Sequence, residues 1–114
     1  MPLSSTSKTS KKDLRIYERQ AAICKAFGSP VRLRLLDLLG GGEMACSQLQ
    51  AELDISKTNL SQHISVLKAA GVVSSRREGQ QVFCSLTMPE VKEACRIIQE
   101  MLMRQVQNGS AILL

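Results

Sequence analysis

The clearest hydrophobic pattern in the chain lies between Ser56 and Gly71. Three apolar residues recur there at intervals of four and three, which is the spacing of one stripe along an α-helix: Leu60, Ile64 and Leu67. Ser56 suits the N-cap of this helix, and Gly71 suits the position just after its end. A shorter apolar stripe precedes it, and Asp54-Ile55 leaves room only for a tight turn between the two. The pattern predicts a helix-turn-helix.

The hydrophobic period changes immediately after this helix. Apolar and polar residues alternate over residues 82–86, which is typical of a β-strand. These residues belong to a run over residues 80–86, and a second run covers residues 72–78. A turn at Glu78-Gly79-Gln80 separates the two runs, and Gly79 permits a positive φ there. We therefore expect a two-stranded hairpin, placed as the wing of a winged helix-turn-helix.

Further helical patterns flank this unit. Residues 13–27 predict a first helix with two apolar stripes, and residues 31–39 a leucine-rich second helix. Thr87-Met88-Pro89-Glu90 has the spacing of a capping box and opens a last helix that runs to about Gln107. The predicted fold class is mainly α with a small β-hairpin (α+β), a winged helix-turn-helix of about five helices.

The predicted domain covers residues 13–107 and leaves a tail at each end. Residues 1–12 hold Lys8, Lys11 and Lys12 and no acidic residue, so we expect a disordered, solvated basic tail. Residues 108–114 form a short C-terminal tail with no assigned role. No signal-peptide pattern and no apolar run long enough to cross a bilayer is present, so we expect a cytoplasmic protein without a membrane partner.

The second helix of the predicted helix-turn-helix has an unusual polar face. This face lies opposite the apolar stripe and does not resemble an ordinary solvated surface. It carries short, uncharged side chains that can donate or accept hydrogen bonds: Thr58, Ser61, Gln62 and Ser65. Lys57 and Asn59 stand beside them at the helix start. Such a face fits base edges in a DNA major groove, where Gln62 could pair bidentately with adenine.

The distribution of charge supports the same interpretation. The 114 residues carry a formal net charge of +5. No acidic residue lies between Asp54 and Glu78, whereas four basic residues do: Lys57, Lys68, Arg76 and Arg77. A positive patch of this kind suits a phosphate backbone, so we expect these four to contact phosphates beside the base-reading face. The alternative is a basic, solvated surface on an ordinary small domain.

Two separated motifs resemble the ArsR/SmtB family of bacterial transcription repressors. FGSPVRLRLL begins at Phe27, and SKTNLSQHISVLKAAGVVSSRREGQQVFCSL follows from Ser56 in the order and spacing of that family. The resemblance covers about residues 20–100. It implies a homodimer held together through the first and last helices, which binds double-stranded operator DNA and leaves it when an effector binds.

Four cysteines and one histidine are the candidate residues for an effector site. The cysteines stand at 24, 46, 84 and 95 without a C-x-x-C or C-x-C spacing, and a transition-metal site needs three or four converging ligands. By the resemblance, the two thiolate positions of the arsenic-binding members fall on Ala45 and Ser47. The ligands of the zinc-binding members in the last helix are likewise missing. We therefore predict no metal site of either kind, and His63 is interpreted as a packed or phosphate-side residue.

Cys24 and Cys95 remain as candidate effector thiols. Each lies on the apolar seam of a helix that the resemblance places at the dimer interface. Such a pair could bind As(III) or another thiophilic ion, or form a disulfide or polysulfide bridge, and no other cofactor is expected. The alternative for both is a small buried hydrophobe, which is also the interpretation given to Cys46 and Cys84.

Three classes of function are compared. The first is a DNA-binding repressor with a thiol-based effector site, and the second is a winged-helix repressor or protein-interaction module with no small-molecule effector. An enzyme is the third, and it would need a nucleophile with its base or a metal with an open position. One histidine and scattered cysteines supply neither, so we expect a transcriptional regulator and no enzyme.

Overall fold

The computed structural model describes residues 11–109, which form five helices and three strands. Their bounds are α1 Lys11–Ala26, α2 Pro30–Leu39, β1 Met44–Ala45, α3 Cys46–Leu53, α4 Lys57–Ala69, β2 Val73–Glu78, β3 Gln81–Leu86 and α5 Pro89–Gln107. The first helix begins two residues before the predicted start of the domain. The predicted tail residues 1–10 and 110–114 lie outside the described part of the chain.

Local capping explains where α4 begins and ends. The hydroxyl of Ser56 accepts a hydrogen bond from the backbone N–H of Asn59 at 3.0 Å and so satisfies one donor of the first turn. At the other end Ala70 is the C-cap, and Gly71 follows with a φ of 82°, a left-handed conformation that favours glycine. Both predicted boundaries of this helix are confirmed.

The turn between α3 and α4 is short and held by paired hydrogen bonds. Asp54 adopts a left-handed conformation, with φ 54° and ψ 51°, and ends α3. The Gln50 side-chain amide donates to the carbonyl of Ile55 at 3.4 Å, and the backbone N–H of Ile55 donates to the carbonyl of Gln50 at 3.4 Å. The predicted helix-turn-helix is present.

The sheet has one more strand than the sequence pattern predicts. The expected hairpin is present, with Val73 opposite Leu86 and a turn at Gly79, where φ is 64°. Residues Met44–Ala45 add a third, antiparallel strand, so that the order is β1-β3-β2. The prediction missed β1 because two residues are too few to show an alternating pattern.

The core lies between α2, α3, α4 and the inner face of the sheet. Its largest fully buried side chains come from all four: Leu35, Leu36, Leu49, Leu60, Leu67 and Cys84. The first half of α5 covers this core through Val91, which is buried, and Cys95, which is half-buried. The predicted apolar stripe of α4 is confirmed, since all three of its residues are buried.

The start of α5 differs from the predicted capping box. Met88 is the N-cap and makes no side-chain cap bond. The Thr87 hydroxyl instead donates to the carbonyl of Gly71 at 2.9 Å, and its backbone N–H donates to the carbonyl of Val72 at 3.1 Å. Thr87 therefore ties the end of β3 to the end of α4, a tertiary role that outweighs the local motif. None of the helices within residues 11–109 is long and apolar enough to cross a membrane.

Candidate DNA-binding surface

All nine predicted DNA-binding residues are exposed. Seven lie on α4 and two on the wing: Lys57, Thr58, Asn59, Ser61, Gln62, Ser65, Lys68, Arg76 and Arg77. The buried stripe of α4 fixes how the helix is turned. At about 100° per residue, Thr58 and Gln62 fall directly opposite that stripe, with Ser65 beside them. The outer face of α4 is therefore lined with uncharged hydrogen-bonding groups.

Val66 belongs to the same outer face, although the sequence interpretation did not include it. It lies four residues after Gln62 and is 41% exposed. An apolar side chain at this place can contact the methyl group of a thymine. Its spacing from Gln62 could have identified it, but apolar residues were assigned to the core.

A cleft separates α4 from the wing and runs down to the start of α3. Its volume is about 480 Å³. The basic residues on its walls are Lys57 and Lys68 from α4 and Arg77 from β2, and none of its lining residues is acidic. The Nζ atom of Lys68 donates to the Ser75 hydroxyl at 2.9 Å, which links α4 to β2 across the cleft. Three of the four positive charges predicted from the sequence thus come together on one side of α4.

Arg76 points away from this cleft and is already engaged. Its Nε and Nη2 atoms donate to the two carboxylate oxygens of Glu43, each at 2.8 Å, and Nη1 donates to Glu78 at 3.1 Å. The guanidinium also lies 4.6 Å from the ring centre of Phe83, its partner on β3. The bond to Arg76 holds the pKa of the Glu43 carboxyl below its usual range. Arg76 therefore connects the wing to the segment before β1, which leaves Arg77 as the wing arginine facing the cleft.

The position of α4 is also fixed from its inner side by Arg32. The Arg32 Nε donates to the carbonyl of Ala26 at 2.7 Å, and Nη2 donates to the carbonyl of Lys25 at 3.3 Å, both at the end of α1. Nη1 lies 3.3 Å from Nδ1 of His63 on α4. Because arginine only donates, Nδ1 is the acceptor in this contact. His63 is half-buried and contacts Arg32, which agrees with the packed alternative of the two that the sequence leaves open.

The structure brings together a pair of thiols other than the predicted one. Cys24 is exposed on α1, whereas Cys95 is half-buried on α5, where burial and then the Asp37 charge raise the pKa of its thiol. Cys46 and Cys84 are in contact, with their Sγ atoms 3.7 Å apart. Within residues 11–109, no three His, Cys, Asp or Glu side chains are grouped so as to hold a metal ion.

Comparison with known proteins agrees with this geometry. A family model described as a helix-turn-helix domain matches residues 27–76. An HTH-type transcriptional regulator of Methanocaldococcus jannaschii is 38% identical over 86 residues, which cover 75% of this chain and 97% of that protein. The transcriptional repressor SdpR of Bacillus subtilis is 36% identical over 72 residues, which cover 63% of this chain and 80% of that protein.

Among solved structures, the chain is similar to a homodimeric winged helix-turn-helix DNA-binding domain from Mycobacterium bovis, a possible ArsR-family regulator. The TM-score is 0.82, and the match covers 94% of this chain and 99% of that one at 23% identity, so this likeness concerns the fold. The motifs, the fold and the relatives together identify a DNA-binding transcriptional regulator rather than an enzyme. The chain belongs to the helix-turn-helix transcriptional regulators, and it has the winged helix-turn-helix fold.

Proposed function

We propose that this protein is a homodimeric, cytoplasmic repressor that reads a specific operator with α4 and the wing. The observation that carries the proposal is the outer face of α4, which is exposed and uncharged, beside a cleft that has basic walls and no acidic lining residue. One side can meet base edges while the other meets phosphates. Repression is inferred from the relative SdpR, which is named a transcriptional repressor.

Base reading is assigned to the outer face of α4. The Gln62 amide offers both a donor and an acceptor, so it can pair with the N6 and N7 atoms of adenine. Thr58 and Ser61 are short hydroxyl side chains that reach a base edge only when the helix lies deep in the groove. Asn59 is the remaining candidate at the helix start, and Val66 adds the apolar contact with a thymine methyl.

Phosphate contacts are assigned to the cleft side of α4 and to the wing. Lys57 and Lys68 lie about three turns apart on one side of the helix, and Arg77 faces them from β2. Ser65 lies between the two lysines and the outer face and can donate to a phosphate oxygen. The ion pair of Arg76 with Glu43 suits a supporting role. In this role Arg76 holds the wing in the position from which Arg77 contacts the DNA phosphate backbone.

The dimer is assigned to α1 and the second half of α5. Large apolar side chains are exposed on both helices, including Leu14, Tyr17, Ile97, Ile98 and Met101, with exposed fractions of 45–65%. The radius of gyration is 16.6 Å, whereas a compact domain of this length would have about 13 Å. Both features are typical of a subunit whose apolar surface is covered by a second copy. A dimer also presents two recognition helices about 34 Å apart, the repeat of the major groove.

Cys24 and Cys95 stay candidate effector thiols for As(III), another thiophilic ion, or a thiol bridge. Cys24 lies on α1, which is assigned to the dimer interface, whereas Cys95 lies in the first half of α5 and packs against the core of its own subunit. A ligand at these thiols could therefore change the dimer through α1 or through the packing of α5. The raised pKa of Cys95 acts against such a ligand, because a thiol must lose its proton to bind a metal ion. A repressor with no small-molecule effector is the second candidate.

Fluorescence anisotropy with two labelled duplexes tests the proposed function. One duplex is the DNA upstream of the gene for this protein, and the other is a scrambled duplex of equal length. We expect the affinity for the upstream DNA to be at least a thousandfold higher than the affinity for the scrambled duplex. We also expect the logarithm of the association constant to fall linearly with the logarithm of the salt concentration.

A pair of lysine variants controls for the loss of charge alone. Lys57→Ala removes a charge from the cleft wall, whereas Lys92→Ala removes one from α5, beside Gly40. Only Lys57→Ala is expected to weaken binding.

In the experiment with two duplexes, equal affinity of the native protein for both would contradict recognition of a specific DNA sequence. No binding to either duplex would favour a protein-interaction module.

A further inference from the structure

Two thiols meet at the floor of the cleft between α4 and the wing. Cys46 is the first residue of α3, and Cys84 lies on β3, the middle strand of the sheet. Their sulfur atoms are 3.7 Å apart, and both side chains line the cleft. The two residues are 38 positions apart in the sequence, so the fold and no local motif brings them together.

The two thiols differ in how they meet the solvent. Cys46 is half-buried and is the thiol that a molecule entering the cleft reaches first, whereas the Cys84 side chain is fully buried. Burial, together with the neighbouring Cys46, raises the pKa of Cys84 to about 12, so Cys84 keeps its proton at neutral pH. The difference in accessibility makes Cys46 the thiol that an oxidant reaches first, and the 3.7 Å contact makes Cys84 the thiol placed to resolve the oxidised sulfur.

We propose that Cys46 and Cys84 form a redox modification site whose reactant is a small hydroperoxide. In the first step the Cys46 sulfur attacks a peroxide oxygen, the O–O bond breaks, and the products are a sulfenic acid and an alcohol, or water from hydrogen peroxide itself. In the second step the Cys84 sulfur attacks the sulfenic sulfur, an S–S bond forms, and the hydroxyl leaves as water with the Cys84 proton. The two thiols lose two electrons, and the hydroperoxide gains them.

The consequence for DNA binding rests on the proposed function. A disulfide has an S–S distance of about 2.05 Å, so the two sulfurs must approach by about 1.7 Å from their present separation of 3.7 Å. That movement draws the start of α3 and β3, the middle strand of the sheet, together beneath α4. It changes the width of the cleft whose walls carry Lys68 and Arg77. The oxidised protein is therefore expected to bind the operator less tightly.

The chemistry is tested first, without DNA. The full chain carrying Cys24→Ser and Cys95→Ser retains only the proposed pair of thiols. It is treated with hydrogen peroxide, blocked with iodoacetamide and analysed by intact mass and peptide mapping. We expect a loss of about two mass units, a peptide pair joined through residues 46 and 84, and full reversal by dithiothreitol. Persistence of two free, alkylatable thiols would overturn the proposal.

Single-cysteine variants assign the order of attack. In the same background, Cys84→Ala is expected to stop at the sulfenic acid, which dimedone traps on Cys46. Cys46→Ser is expected to leave Cys84 unmodified at the same peroxide concentration, because Cys84 is fully buried. Circular dichroism checks that each variant is folded, and if Cys84→Ala does not fold, Cys46→Ser alone still tests the assignment. Oxidation of Cys84 in the Cys46→Ser variant would contradict the proposed order.

Anisotropy on the upstream duplex then tests the consequence. We expect the disulfide form of the Cys24→Ser, Cys95→Ser protein to bind at least tenfold more weakly than the reduced form, with affinity restored by dithiothreitol. Unchanged affinity of a fully oxidised sample would overturn the regulatory role. Failure of the reduced protein to bind DNA would instead contradict the proposed function, and the mass measurement would still decide the modification site.

Discussion

Asp54 holds the most demanding backbone conformation in the helix-turn-helix. Among residues 11–109 it is the one non-glycine residue with a positive φ, at 54°. Asp and Asn visit this left-handed region at lower cost than other residues with a Cβ atom, because their short polar side chains can bond locally. The position ends α3 and turns the chain into α4, so its conformation determines the angle at which the outer face of α4 is presented.

Substitution of Asp54 tests this backbone requirement. Asp54→Gly is expected to leave the free energy of unfolding unchanged or to raise it, whereas Asp54→Val is expected to lower it by about 1–2 kcal/mol. Urea unfolding followed by circular dichroism measures the difference. Glu52→Val, at an exposed helical position of α3, is the matched control and is expected to cost less. Equal losses for the two valine variants would contradict the strain argument.

The buried thiol of Cys84 should make the free energy of unfolding depend on pH in the alkaline range. Burial raises the pKa of its thiol from 9.0 to about 12, so the unfolded chain releases this proton at lower pH than the folded chain does. The stabilisation is fully present below about pH 9 and is lost as the pH rises toward 12. The urea midpoint of the native protein should therefore fall more steeply between pH 8 and about pH 10 than that of Cys84→Ala. Parallel pH profiles would refute this assignment.

At the scale of elements, the two arginines of the wing lie on opposite sides of β2 and have different contacts. Successive residues of a strand point to opposite sides, so Arg76 meets Glu43 and Phe83 while Arg77 faces the cleft. In the sequence both residues belong to one basic run and both are predicted to contact phosphates, with a minor groove as an alternative for Arg77. This difference is the basis for proposing that Arg76 supports the wing and that Arg77 contacts DNA.

The two arginine variants should therefore behave differently. Arg77→Ala is expected to weaken binding to all DNA sequences alike and to reduce the slope of log affinity against log salt by about one, because one phosphate contact is lost. Arg76→Ala is the matched control, with the same loss of charge. It should instead increase hydrogen exchange in β2 and β3 while retaining most of that salt slope. Loss of one unit of slope in Arg76→Ala, with Arg77→Ala unaffected, would reverse the assignment.

The sequence predicts those elements whose signals are local. The Ser56 cap, the Gly71 and Gly79 turns and the stripe of α4 each depend on residues within one helix or hairpin, and the structure confirms them. The predicted DNA-binding residues follow from the same periodicity and from the distribution of charge, and all are exposed, although their contacts with DNA stay a prediction. Helical periodicity could also have found Val66.

Features that depend on distant residues were missed. Strand β1 exists only because β3 lies beside it. Glu43 and Arg76 are 33 positions apart, and the thiols of Cys46 and Cys84 are 38 positions apart, so no spacing rule pairs them. In each case the partner is supplied by the tertiary fold, which a single sequence does not display.

At the scale of the whole molecule, the second half of α5 has an apolar side that the described chain leaves uncovered. Met101 is 58% exposed there, next to Ile97 and Ile98. An exposed apolar patch on two helices marks an interaction surface. The first half of the same helix packs on its own core through Val91, so α5 connects the DNA-binding unit to the proposed dimer interface.

A charge placed in this surface should separate the subunits. Met101→Glu is expected to shift the protein from dimer to monomer in sedimentation velocity and to lower operator affinity at least tenfold, since a single half-site makes fewer contacts. Gln99→Glu adds the same charge on another side of α5 and serves as the control. A Met101→Glu protein that stays dimeric would contradict the assigned interface.

Selection of binding sites from a random DNA library, with the native protein and with Gln62→Ala, tests the central claim most directly. The native protein should select two half-sites about one helical turn apart. Gln62→Ala should lose the preference at one base pair of each half-site, at a cost of about 1–3 kcal/mol, while the other positions stay unchanged. An identical selected sequence for both proteins would mean that the outer face of α4 does not read the bases.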